Sequence, residues 1–199
     1  IGTAATNEID PEDWAFDNGR KFAVAWVQTV GANTEVWAAA FHADGTANTP
    51  AIRVDNVGSV NRNVDIVGIP GLPLGFAVAY EDNEWATGSR DITVAIYQHS
   101  SLRSKTNISD PTLAGNASPD DNPALTVLAN GLIAVAWEAN NGAQTDSALA
   151  LLDPFTGARV FAGPTILAGE PAGDDIGDIA IAGLPGGRLA YFHTNLTDG

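Results

Sequence analysis

A short apolar run ending in an aromatic side chain recurs four times along this chain: Gly19-Arg-Lys-Phe-Ala-Val-Ala-Trp26, Gly75-Phe-Ala-Val-Ala-Tyr80, Gly131-Leu-Ile-Ala-Val-Ala-Trp137 and Gly187-Arg-Leu-Ala-Tyr-Phe192. The closing aromatics Trp26, Tyr80, Trp137 and Phe192 fall 54, 57 and 55 residues apart. A fixed period of this length marks a chain built from repeated supersecondary units, and it constrains the fold before any single residue does. The units span about residues 8–59, 60–115 and 116–171, with an incomplete fourth at 172–199.

Within each unit, strand-like runs alternate with turn chemistry. In the third copy they are Ala124 to Ala129, Leu132 to Ala139, Ser147 to Leu152 and Pro164 to Ala168. Asn130-Gly131 joins the first two, because both residues tolerate the positive φ of a tight hairpin turn. Asn18-Gly19 and Gly186-Gly187 stand at the matching place in copies one and four. Later in the unit, His42-Ala-Asp-Gly-Thr46 matches Pro154-Phe-Thr-Gly-Ala158, whereas copy two has Ser100-Ser-Leu-Arg103.

No helical period is present, and the second run is apolar on both faces, as in Phe22-Ala-Val-Ala-Trp26. A sheet with one wet face would alternate apolar with polar, so each unit is expected to be covered on both sides. The expectation is an all-β chain of about three and a half four-stranded antiparallel blades of a β-propeller. A tandem of small β-sandwiches is the alternative, with more polar residues at alternate positions. About 25 residues precede the first anchor and 7 follow the last, too few together for a complete fourth unit. Further blades or a partner chain are therefore expected to complete the ring, with this chain a piece of a longer protein. The absence of Met agrees, since Ile1 is not a translation start.

Composition removes several function classes. The chain carries 24 acidic and 9 basic residues, a formal charge of −15 that opposes nucleic acid and anionic lipid. No apolar run approaches the roughly 20 residues that span a bilayer, so membrane insertion is not expected. With no Cys there is no disulfide framework, thiolate zinc site or thiol nucleophile, and any metal must be held by oxygen or His. His42, His99 and His193 show neither His-x-Glu nor His-Glu-x-x-His spacing, and no Gly-x-Ser-x-Gly elbow exists.

Carboxylates and amides recur before the first strand of each unit: Asp10, Glu12 and Asp13; Asn61, Asn63 and Asp65; Asp120, Asp121 and Asn122; Asp174, Asp175 and Asp178. In a propeller these segments would ring one mouth of the channel, and such crowding invites a hard cation such as calcium, with Asp120, Asp121, Asp174 and Asp175 as ligands. The competing reading is that they satisfy backbone donors at turns. A second candidate site is the loop after the second anchor, where Glu81, Asp82 and Trp85 are placed to contact a ligand, Trp85 by stacking on a sugar face.

The third copy, Asn122-Pro-Ala-Leu-Thr-Val-Leu-Ala-Asn-Gly-Leu-Ile-Ala-Val-Ala-Trp-Glu138, resembles repeats of very large, secreted, calcium-binding bacterial adhesins exported by the type I route. The resemblance implies an extracellular, non-catalytic repeat module with an adhesive or scaffolding role, and a glycan or another surface protein as partner. The glycine-rich nonapeptide of the calcium β-roll is missing, so calcium is not implied by motif. A secreted carbohydrate-active enzyme using paired carboxylates at the channel mouth is the competing expectation.

Overall fold

Each aromatic run becomes the second strand of an antiparallel meander. The computed structural model describes residues 7–16, 19–56, 60–83, 90–109, 120–140, 145–163, 165–168 and 175–196. The first sheet runs in the order β1 (Asn7–Phe16), β2 (Lys21–Val30), β3 (Asn33–His42) and β4 (Ile52–Arg53). The second repeats this order with β5 (Arg62–Gly68), β6 (Gly75–Asp82), β7 (Asp91–Gln98) and β8 (Ser101–Asn107). The third comprises β9 (Asp121–Val127), β10 (Ile133–Asn140), β11 (Thr145–Leu152) and β12 (Thr165–Ala168). A hairpin of β13 (Asp175–Leu184) and β14 (Arg188–Leu196) follows, joined to the third sheet at one parallel bridge between Thr145 and Asp175. All other pairings of these strands are antiparallel, and no α-helix occurs among the described residues.

The turns form where the sequence places them. Gly131 takes φ 88°, and its amide donates to the Leu128 carbonyl at 2.8 Å, closing the β9–β10 hairpin. In the second unit, where the third and fourth strands lack a turn glycine, His99 itself adopts φ 57°.

The sheets stack in chain order, small side chains on large. Ala23, Ala25 and Ala38 of the first sheet pack on Phe76, Val78 and Tyr80 of the second. On its opposite face, Ala77 and Ala79 pack on Ile133, Val135 and Trp137 of the third. All eight residues of β6 are buried, as the two-sided apolar pattern predicts. Alternate side chains of a strand point to opposite faces, so an alanine every second residue gives one flat face that admits the bulky face of the next sheet. The first strands follow the same succession: β1 lies against β5, β5 against β9, and β9 against β13. Close approach at the last junction needs glycine, since a Cβ on Gly183 would lie 2.5 Å from the Val127 carbonyl oxygen. The described strands do not close into a ring.

Register corrects one alignment made from sequence. Trp26, Tyr80 and Trp137 each stand at the break in pairing between their own strand and the first strand of the unit. In the fourth unit that place belongs to His193, which pairs with Ile179 next to the break, while Phe192 points to solvent at 66% exposure. Tyr191 and His193 stack at 5.2 Å between ring centroids on the buried side.

Candidate functional site

The acidic and amide residues before each first strand are organised by a repeated β-bulge. The pairing of β1, β5, β9 and β13 with their second strands slips once, between Ile9 and Glu12, Arg62 and Asp65, Asp121 and Ala124, and Gly177 and Ile179. In the last three bulges the extra residue is left-handed: Asn63 at φ 43°, Asn122 at φ 51° and Asp178 at φ 43°. Asn and Asp are the non-glycine residues that reach this region at least cost, which accounts for their recurrence there.

The three bulges with a left-handed residue take part in inter-sheet clasps. Glu81, at the end of β6 and fully buried, accepts the side-chain amide of Asn63 from its own sheet. It also accepts the backbone amide of Asn122 from the next sheet at 3.0 Å. One unit later Glu138 does the same, accepting Asn122 Nδ2 at 2.7 Å and the backbone amide of Asp178. Asn63 Nδ2 further donates to Asn122 Oδ1 at 2.7 Å, so the chain of amides and carboxylates runs across the seam. Arg90 completes it, with Nε 3.0 Å from Glu81 Oε2 and Nη2 2.5 Å from Asp121 Oδ1.

A second pair of equivalent residues lies two positions before the left-handed residue. Asn61 donates through Nδ2 to the Thr34 carbonyl at 2.9 Å and to Asp55 Oδ2 at 2.6 Å. Asp120, its counterpart, receives the Asn140 amide at 3.2 Å and the Ser109 hydroxyl, and its own amide donates to the Arg90 carbonyl at 3.0 Å.

Burial sets the electrostatics of this seam. Removal from water pushes the Asp65 carboxyl up to about 6, against the pull of hydrogen bonds from the Leu125 and Ile66 amides. Burial raises Asp120 to about 6 as well, opposed by its bonds from Ser109 and Asn140. Glu81 is displaced upward by burial, with the Asn122 amide opposing and Asp121 adding to the rise. Exposed turn acids behave in the opposite way. The Asp44 carboxylate accepts the hydroxyl and amide of Thr46, and Asp153 accepts the amides of Phe155 and Thr156, so both sit below the usual range.

The structure separates the residues singled out from sequence. Glu81 and Asp82 end strand β6 with no exposed surface, so they lie inside the seam rather than in an open loop. Asp120 is buried and Asp121 is paired with Arg90. Asp175 opens β13, while Asp174 and Trp85 lie outside the described residues. Among the described residues, no three of His, Asp and Glu are grouped to hold a metal ion. The calcium expectation therefore rests on the sequence alone. His42, His99 and His193 are not brought together: His42 contacts Asn48 Nδ2 at 2.9 Å, His99 forms a turn and His193 lies on β14.

Arg90 and Glu138 are members of the seam that the motif reading missed. A signal for Glu138 was present, since Glu81 and Glu138 each follow their anchor aromatic by one residue. Compared with protein-family models and with curated proteins, the sequence finds no match.

Proposed function

We infer that this chain is a non-catalytic structural or ligand-binding module whose units are consecutive blades of a β-propeller, carried by a secreted bacterial surface protein with an adhesive or scaffolding role. The observation that carries the reading is the middle sheet, covered on both faces by its neighbours in one repeated small-on-large arrangement. Two-layer sandwiches would leave each sheet one solvated face. Succession of the innermost strands, β1 to β5 to β9 to β13, is also what a blade arrangement requires, because first strands line the axis. Further blades, or a partner chain, would complete such a ring.

The non-catalytic part of the reading is supported by where the carboxylates are. A glycosidase needs one acid and one nucleophile or base open to the same sugar. Glu81 has the raised pKa of an acid catalyst, but it is enclosed, with Asn63, Asn122 and Arg90 on its oxygens. A glycan or another surface protein is the partner that fits an extracellular repeat module. The test is retention on a panel of polysaccharides with a parallel assay for new reducing ends. Binding without product release is expected, and measurable release overturns the reading.

A further inference from the structure

At the end of the first seam remote from the clasp, the first two sheets part to leave a groove of about 780 Å³. That lies within the range of about 300–1,000 Å³ found for small-molecule sites. One wall carries Trp14 and Phe16 from the end of β1, and the other carries Pro70 and Pro73 from the turn between β5 and β6. Lys21 and His99 are its two basic side chains among the described lining residues. The indole sits where it does because position 68 is glycine: a Cβ there would come within 2.5 Å of Trp14 Cδ1. His99 also lines an adjoining depression of about 480 Å³ with Leu102, Arg103 and Phe155.

This face departs from the charge balance of the chain as a whole, and it carries exposed apolar surface. The chain has 24 acidic and 9 basic residues, yet the described lining of the two depressions includes Lys21, His99 and Arg103 and no carboxylate. Trp14, Leu102 and Phe155 are 39%, 52% and 51% exposed along it. A fitting ligand offers an apolar face to the indole and single negative charges spaced along its length. A pyranose does the first, its polarised C–H bonds meeting the negative face of the ring, and a carboxylate on each sugar does the second. A denser polyanion would be repelled by the overall charge of −15.

We propose that this face binds a uronate-bearing oligosaccharide, Trp14 stacking on a sugar ring while Lys21, His99 and Arg103 receive the carboxylates. The proposal rests on the module reading above and names its ligand class. Its test is calorimetric titration with a short oligogalacturonate, beside the neutral galacto-oligosaccharide and an oligoglutamate. The uronate should bind in a salt-sensitive way. Trp14→Ala should weaken it by about tenfold, and Arg103→Gln and His99→Asn by several-fold each. The last two changes are at exposed positions, and Asn keeps the left-handed turn at 99, so they report even where Trp14→Ala disturbs the fold. No uronate binding, equal affinity for the neutral sugar, tighter binding of oligoglutamate, or affinity unchanged in all three variants would each overturn the proposal. Undiminished uronate binding in the variants removes this groove but leaves the module reading intact. Release of reducing ends from the uronate overturns the module reading while leaving the groove as the binding site.

Discussion

Asn63 and Asn122 occupy the same left-handed bulge position in successive sheets, and the side-chain amide of the first donates to the side-chain oxygen of the second at 2.7 Å. One residue type thus performs two tasks, since it tolerates the backbone conformation and carries the donors that tie one sheet to the next.

Separating those tasks gives the first prediction. Asn122→Gly keeps the backbone at ease but strips Glu138 and Asn63 of a partner, whereas Asn122→Ala adds the cost of φ 51°. Both variants should lower the urea midpoint, the alanine by about 1 kcal/mol more than the glycine. Equal losses would show that the left-handed conformation contributes nothing measurable.

Arg90 couples two carboxylates of different burial, Glu81 fully enclosed and Asp121 half-buried. Arg90→Ala should cost about 1–3 kcal/mol, because the buried Glu81 carboxylate loses its counter-charge and must either stay uncompensated or take up a proton. Glu81→Gln should recover part of that loss in the double variant, giving a favourable coupling that urea denaturation can read. Additive losses would mean that the ion pair does not act across the seam.

Stability should fall as pH rises through the range in which the seam ionises. Asp65 and Asp120 have folded pKa values of about 6 against an ordinary 3.8, so the native state holds their protons more tightly than the unfolded chain. Their contribution is complete below 3.8 and lost as pH climbs through 6, on the order of 1–2 kcal/mol each. Melting temperature should therefore drop between about pH 5 and about pH 7, and Asp65→Asn should flatten the slope. Asp120→Asn should do likewise without loss at neutral pH, since unit two already places Asn61, buried, at the equivalent position. A melting temperature that rises with pH in this window, or a slope unchanged in both variants, would contradict the assignment.

The period, the strand-and-turn order and the two-sided burial of β6 were legible because local chemistry dictates them: Asn-Gly turns, alternation of Ala with large side chains, and an aromatic at each anchor. The bulges were not legible, since a bulge is a count of residues against a partner strand, and only that register shows the fourth anchor to be His193 rather than Phe192. The Asp and Asn clusters were recognised as recurring, but whether they face a channel or a seam depends on the angle between sheets. Arg90 escaped notice for a related reason, as its partners Glu81 and Asp121 come from different units. His99 drew notice only as one of three scattered histidines, and the approach of the first two sheets at Gly68 is what makes Trp14 and His99 lining residues of one groove.

The central claim is that equivalent sheets succeed one another about a common axis. Thr46, Ser101 and Ala158 are exposed and equivalent, each preceding the residue paired with Phe41, Tyr97 or Leu152. The chain has no native cysteine, so spin labels can be attached to cysteine pairs at these positions and their separations measured by double electron–electron resonance. The account predicts equal 46–101 and 101–158 distances, with 46–158 clearly shorter than twice either one because the sheets fan round an axis. Unequal neighbouring distances, as in paired sandwiches, or a 46–158 distance equal to the sum, as in a straight stack, would contradict it.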